Sequence, residues 1–284
     1  MIRSLPNTRP YTIGFKIYVG LFFSFLFLPL VVTCVLAFND SPFPALPWKG
    51  FTLTWFTGDQ PGRVGIFHDT VNLSAIWVSF KVAFWVSLLS TIVGTCGAFL
   101  FEQEQFRFKQ ALYFLMLAPL VVPGVILGIS ILLFANTLGV AVENTFNLDV
   151  PLFRPGFWLV VLGQFSFIAT LVTLVVSARL KKFDRTLEEA ALNLGANRLE
   201  VIWHITLKFL RPAIIGAGAV AFLMSFENFN TTLFLVGSEA TLPITLYLQV
   251  RDGSTPVINA ISFLLIVGTS LLALINLTFS RKKE

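Results

Sequence analysis

Charged side chains are scarce in this chain: they make up 12% of its 284 residues, where a globular protein carries roughly 25%. That deficit alone excludes a water-soluble domain of ordinary composition. Histidine is rarer still. His68 and His204 stand at no metal-ligand spacing and beside no nucleophile motif, which argues against a histidine metal centre or a catalytic triad. The two cysteines, Cys34 and Cys96, fall in separate apolar runs, so both read as packing residues rather than a disulfide framework. No G-x-x-x-x-G-K-[ST] sequence occurs, and the chain therefore has no phosphate cradle of its own. Repeats of fixed period, low-complexity tracts and proline-rich linkers are also missing, which makes a single membrane domain over 1–284 the simplest organisation.

Apolar surface fills the remainder. Hydrophobic residues reach 56% of the chain, with 31 Phe among them. A helix needs about 20 consecutive apolar residues to cross the hydrocarbon core with its backbone polar groups satisfied internally. Six runs qualify: 17–38, 76–101, 111–135, 156–178, 213–236 and 257–279. The expected fold is therefore all-α, a polytopic membrane protein of six transmembrane helices. The first run is longer than the roughly 7 to 15 residues of a signal-peptide core and no small-x-small site follows it, so it reads as a retained span.

Lys and Arg crowd one side of these spans: Arg3, Arg9 and Lys16 before the first, Arg107 and Lys109 after the second, the stretch from Arg179 to Arg211 after the fourth, and Arg281 to Lys283 at the end. The opposite side holds Lys49, Arg63, Arg154 and Arg251, with Lys81 snorkelling from the outer end of the second span. The positive-inside rule places both termini in the cytoplasm. Because the basic residues are spread along one membrane face, the net charge of +5 reflects topology and excludes nucleic acid as a partner. In the long outer segment from Asn39 to about Ala75, Pro42, Pro44 and Pro47 break the chain, while Trp48 and Trp55 are expected at the headgroup level. Interfacial anchoring and docking of an external partner are both open for this segment. Pro119, Pro123, Gly124 and Gly128 predict a kinked, closely packed third span, either lining a pathway or solving a packing problem.

Between the fourth and fifth spans, Arg179 to Pro212 forms a polar, basic island. Asp184 is a candidate N-cap, and Leu187, Ala190, Ala191 and Leu194 follow at the spacing of one helical face. Glu188 and Glu189 fall in the early turns, where the helix dipole favours them. Gly195 permits the left-handed stop, and Asn197 with Glu200 predicts a capping box for a second helix whose buried stripe is Val201, Ile202, Ile205 and Phe209. Periodicity leaves two readings open, a hairpin lying on the membrane surface or one gripped by a soluble protein.

The residues at these positions carry a resemblance. Glu189, Ala190, Ala191, Gly195, Ile205 and Leu207 stand at the spacing of the EAA loop in permease subunits of binding-protein-dependent ABC importers, except that Lys208 replaces the usual proline and the next one is Pro212. Most of the chain resembles that family, and within it the second permease of spermidine/putrescine importers. Phe38 and Asn39, Gly50 to Thr52, Trp55 and Phe56, Phe106 to Phe108, Ser225 with Phe226, and Gly237 all match that branch's pattern. The resemblance implies a type I importer permease (MetI-like) fold in a bacterial inner membrane. It implies that Glu188, Glu189, Ala190, Ala191, Leu194, Gly195 and Ala196 couple to an ATPase. The implied partners are a second homologous permease, two cytoplasmic ATPase subunits that hold ATP and Mg, and an external substrate-binding protein. The chain itself is then no enzyme and binds no cofactor. His204, inside this loop, reads as a surface or docking residue.

Glu227 lies about fifteen residues into the fifth expected span, where a carboxylate costs about 2.5 to 3.5 kcal/mol on insertion scales. Ser225, Asn228, Asn230, Thr231 and Thr232 surround it with hydrogen-bonding groups, and Phe226 and Phe229 offer ring faces to an ammonium. Three roles stay open for Glu227: pairing or gating against a partner permease, direct contact with a passing cation such as a polyamine, and protonated packing. Polyamine-branch relatives can carry two adjacent acids here, whereas this chain has Glu227 followed by Asn228. Another small solute remains an alternative substrate. A secondary transporter driven by an ion gradient and a non-transporting scaffold are the alternatives from other classes.

Overall fold

Each of the six apolar runs is helical over most of its length, and two of them are interrupted. The structure is a computed structural model that describes residues 9–44, 46–253 and 255–281, with side chains described from Tyr11 to Leu271. The orientation argument's Arg3, Lys282 and Lys283, and the side chains of Arg9 and Arg281, lie outside the described residues. The long helices are α1 (Arg9–Leu36), α3 (Thr70–Gln103), α5 (Gly124–Phe146), α6 (Phe157–Leu180), α9 (Leu207–Phe226) and α12 (Val257–Arg281). Shorter ones are α2 (Thr54–Thr57), α4 (Lys109–Val121), α7 (Thr186–Asn193), α8 (Arg198–Val201), α10 (Thr232–Leu235) and α11 (Leu242–Gly253). Among the described residues five helical stretches are long and apolar enough to cross a membrane: Tyr11–Leu36, Thr70–Gln103, Gly124–Phe146, Phe157–Leu180 and Arg198–Phe226. Among the described residues the sheet is a single two-residue antiparallel pair, β1 (Asp59–Gln60) with β2 (Arg63–Val64).

Two compact units divide the chain. The first comprises Met1–Leu73 and Leu248–Glu284. In it α1 packs on α12, and the outer segment is folded around Asn39. The Asn39 side chain is buried, accepting from the Lys49 N–H at 2.8 Å and donating to the Pro47 carbonyl at 3.3 Å. Its own carbonyl accepts from the Trp55 indole at 2.8 Å. Trp55 is 3% exposed, so it is a core residue of this segment and not the headgroup anchor its composition predicts. Phe38 closes the cluster, with ring centroids 5.3 Å from Phe51 and from Phe56 and 5.0 Å from Phe263.

The second unit, Ser74–Tyr247, is built around α6. Val160, Val161, Ile168, Val172 and Val176 are essentially fully buried there, in one core with residues of α9 and α3. Without a hydrophobic drive between helices in lipid, close approach relies on small residues. Gly94 illustrates this, since an added Cβ would sit 2.8 Å from the Val172 side chain.

Two expected spans differ from what the backbone does. The third breaks: Val122 and Pro123 are extended (ψ 129° and 133°), separating α4 from α5, and α5 runs on to Phe146 instead of ending near 135. The cause is local, because the residue before a proline is pushed out of the α region and the proline has no N–H to give. The fifth begins earlier than 213 and stops at Phe226 rather than Val236. A π-turn over Ile202–Thr206 leads from α8 directly into α9, and Pro212 is accommodated inside the helix. At the other end Asn228 Oδ1 accepts from the Thr232 N–H at 3.3 Å and from Thr232 Oγ1 at 3.0 Å, so a side chain competes with the helical ladder and starts α10. The helix α11 is additional to the six expected spans.

Candidate functional site

The two helix breaks meet. An added Cβ on Gly124, at the start of α5, would lie 3.0 Å from Asn230 Cβ, and one on Gly128 would lie 2.6 Å from the Thr231 carbonyl oxygen. The non-helical residues after α9 therefore rest directly on the first turns of α5. Replacing Gly128 by alanine is expected to lower stability by about 1–3 kcal/mol through overpacking against backbone, seen as a lower unfolding temperature of the purified protein in detergent. An unchanged melting curve would contradict this contact.

A buried polar chain holds the second break in place. Ser225 Oγ donates to Gln164 Oε1, and Gln164 Nε2 donates to Thr232 Oγ1 at 2.7 Å, which in turn reaches Asn228. Gln164, Ser225 and Thr232 are all buried. In hydrocarbon an unmatched amide costs several kcal/mol, and here both ends of the Gln164 amide are satisfied. Ser225 and Asn228 are thus structural members of the site. Phe226 stacks on Phe222 at 6.1 Å, and Phe229 lies 5.0 Å from the Tyr247 ring. Asn230 is exposed.

Glu227 differs from its expected setting at the centre of a spanning helix. It is the C-cap residue of α9, its N–H bonded to the Leu223 carbonyl at 3.1 Å, and its side chain is exposed in this chain with no ion pair among the described residues. The carboxylate thereby adds to the negative end of the α9 dipole, and the two together favour a cation.

The polar island has the anticipated shape with a different attachment. Helix α7 ends in a Schellman turn: the Gly195 N–H bonds to the Leu192 carbonyl at 3.0 Å and the Ala196 N–H to the Ala191 carbonyl at 3.1 Å, with Gly195 at φ +92°. Asn197 and Glu200 form the predicted capping box, both bonds at 2.9 Å. Val201 is buried, and Ile205 and Phe209 pack on the core, as the stripe predicts. Asp184 is not the N-cap. Arg185 holds that position, while the Asp184 carboxylate accepts from the Thr186 N–H at 3.0 Å and from its hydroxyl at 2.8 Å. Those bonds, the backbone one foremost, hold the Asp184 carboxyl below the usual carboxylate range.

The apolar residues of the α7 face are exposed in this chain: Leu187 is 51% and Leu194 89% exposed, and Leu199 at 79% and Trp203 at 71% follow them. Glu189 and Ala190 are exposed with them, and Ala191 and Ala196 are half-buried. What ties α7 to the bundle is Glu188, which accepts a 2.5 Å hydrogen bond from the buried hydroxyl of Thr206 in the π-turn. His204 is exposed, its Nδ1 3.1 Å from the Glu200 carbonyl.

Residues 90–283 match the family of binding-protein-dependent transport system inner membrane components. The chain belongs to that family. It is 32% identical over 255 residues to the putrescine transport system permease protein PotI of Escherichia coli strain K12, covering 89% of this chain and 85% of that protein. Identity is 26% over 263 residues to the spermidine/putrescine transport system permease protein PotC of Haemophilus influenzae, with 92% and 94% covered. One chain of the crystal structure of a bacterial ABC transporter, involved in the import of the acidic polysaccharide alginate, matches in fold with a TM-score of 0.60 at 12% identity over 99% of both chains.

This inner membrane component brings Ser225 to Asn230 together at one break, and Glu188 to Ala196 together on one helix and turn. Sequence reasoning missed Gln164, the buried joint of the polar chain, and Thr206, the anchor of α7. An amide in the middle of an apolar run is a signal that hydropathy windows average away. Nothing in the local pattern marks Thr206, whose partner lies 18 residues away.

Proposed function

We propose that this transport component is the permease of an ATP-driven importer that moves a small cation, a polyamine such as putrescine or spermidine, by alternating access across a bacterial inner membrane. The observation that carries the reading is Glu227: an exposed carboxylate at the negative end of α9, beside Phe226, where two broken helices meet. Helix ends at such breaks gather ions and substrates in transporters because their backbone groups stay unpaired there. An ammonium passing this point finds charge, carbonyl dipoles and a ring face. The names of the similar PotI and PotC proteins support the same substrate class.

In this reading the exposed face of Leu187, Ala190 and Leu194, with Glu189 at its edge, is the coupling surface for one of two cytoplasmic ATPase subunits, which hold ATP and Mg. A second permease completes the pathway, an external binding protein delivers the cation, and both termini are cytoplasmic. The site must hold its cation weakly in at least one state, since equal affinity in both would gain nothing from the switch.

Reconstitution of the complex in proteoliposomes tests this. Labelled putrescine is expected to accumulate only with ATP and the ATPase subunits present. Uptake by the permease alone, driven by a proton gradient, would establish the secondary-transporter reading instead.

A further inference from the structure

At the end of the bundle where α3 stops, α4 starts and α6 stops, an open groove of about 710 Å³ is lined by Arg107, Lys109 and Lys181, by Phe106 and Phe114, and by a single acid, Glu102. Glu102 pairs with Lys181 at 3.5 Å. Lys109 Nζ donates to the Glu104 carbonyl at 2.9 Å, and the Arg107 guanidinium lies 5.9 Å from the Phe108 ring centroid. Among the described residues neither Arg107 nor Lys109 has a carboxylate partner. The groove is thus positive overall. Its wall is apolar on the other side, with Phe114 71% exposed. The Phe106–Arg107–Phe108 stretch plays no part in the cation pathway or the coupling surface described above.

We propose that this groove binds the phosphate headgroup of an anionic phospholipid. A phosphate needs the two unpaired cations, and the acyl chains below it need an apolar wall, so a basic pocket between helix ends at the membrane boundary meets both demands. A free phosphate ion would use the cations and leave Phe106 and Phe114 without a role. The site is independent of the transported substrate.

The test is native mass spectrometry of the purified full-length chain with phosphatidylglycerol or phosphatidylcholine of identical acyl chains. The expected result is retention of phosphatidylglycerol about tenfold above phosphatidylcholine. The Arg107→Gln/Lys109→Gln double variant should bring the two to parity. Arg107→Lys/Lys109→Arg should keep the preference, which separates charge from folding. Arg154→Gln removes a cation outside the groove and should also keep it. Equal retention of both lipids by the unmodified chain, or an undiminished preference in the double Gln variant, would overturn the proposal. Displacement of the lipid by millimolar inorganic phosphate would assign the groove to the free ion instead.

Discussion

Replacing Gly195 by valine is expected to cut ATP-dependent uptake by tenfold or more while the chain still inserts and packs. The turn holds Gly195 at φ +92°, and an added Cβ would meet nothing within 4 Å, so crowding does not enter and the whole cost is backbone conformation. A left-handed conformation costs an L residue roughly 1–2 kcal/mol, and a β-branched one is a genuine outlier there. The bundle core does not touch Gly195, so the strain is relieved by unwinding the Schellman bonds of Gly195 and Ala196, which redirects the chain entering the Asn197–Glu200 cap. If the docking-competent turn falls to about a tenth of its population, the apparent affinity for the ATPase falls by the same factor. Gly195→Asn is the control, because asparagine tolerates the left-handed region, and it should retain most of the uptake. Uptake and ATPase copurification at the wild-type level in Gly195→Val would show that this turn does not transmit the stroke.

Glu227→Gln should reduce putrescine uptake by about tenfold to a hundredfold with little effect on complex yield or melting temperature. A hydrogen bond to a charged group is worth about 1.5–3 kcal/mol, and each 1.4 kcal/mol is tenfold. The amide keeps the shape and removes the charge. Because Glu227 is exposed and forms no ion pair among the described residues, the fold loses little when it is neutralised. The polar chain through Gln164 does not include it. Glu227→Asp, which keeps the carboxylate but withdraws it, should fall between the two. Unchanged uptake in Glu227→Gln would remove the residue from the pathway, and lost assembly would place it at a permease interface.

Much of this protein was legible one residue at a time. The helical class follows from apolar length, because a bilayer leaves the backbone no other way to satisfy itself. The capping box at Asn197 and Glu200 and the stop at Gly195 were readable because their bonds close within three to five residues. The site was only partly legible. Glu227 stood out as an intramembrane acid, yet hydropathy carried the fifth span on to Val236. The helix in fact ends at Phe226, and the Asn228 side chain accepts from Thr232 at the start of the next one. Leu187 and Leu194 have the spacing of one helical face, and only the structure shows that the chain itself leaves them exposed, since periodicity reports that a face is apolar without saying what will cover it.

The amino-acid order alone therefore determined that the chain is helical, lies in a membrane, and carries a shaped polar loop and one acid out of place among apolar residues, because each of these is a matter of composition or of neighbours a few residues apart. Only the tertiary structure decided that two helices break beside one another, that Gln164 bridges Ser225 to Thr232, and that Glu188 is held by Thr206. Those contacts join residues 18 to more than 60 positions apart, and which distant groups meet depends on how glycine-lined helices pack and where prolines and asparagines interrupt them.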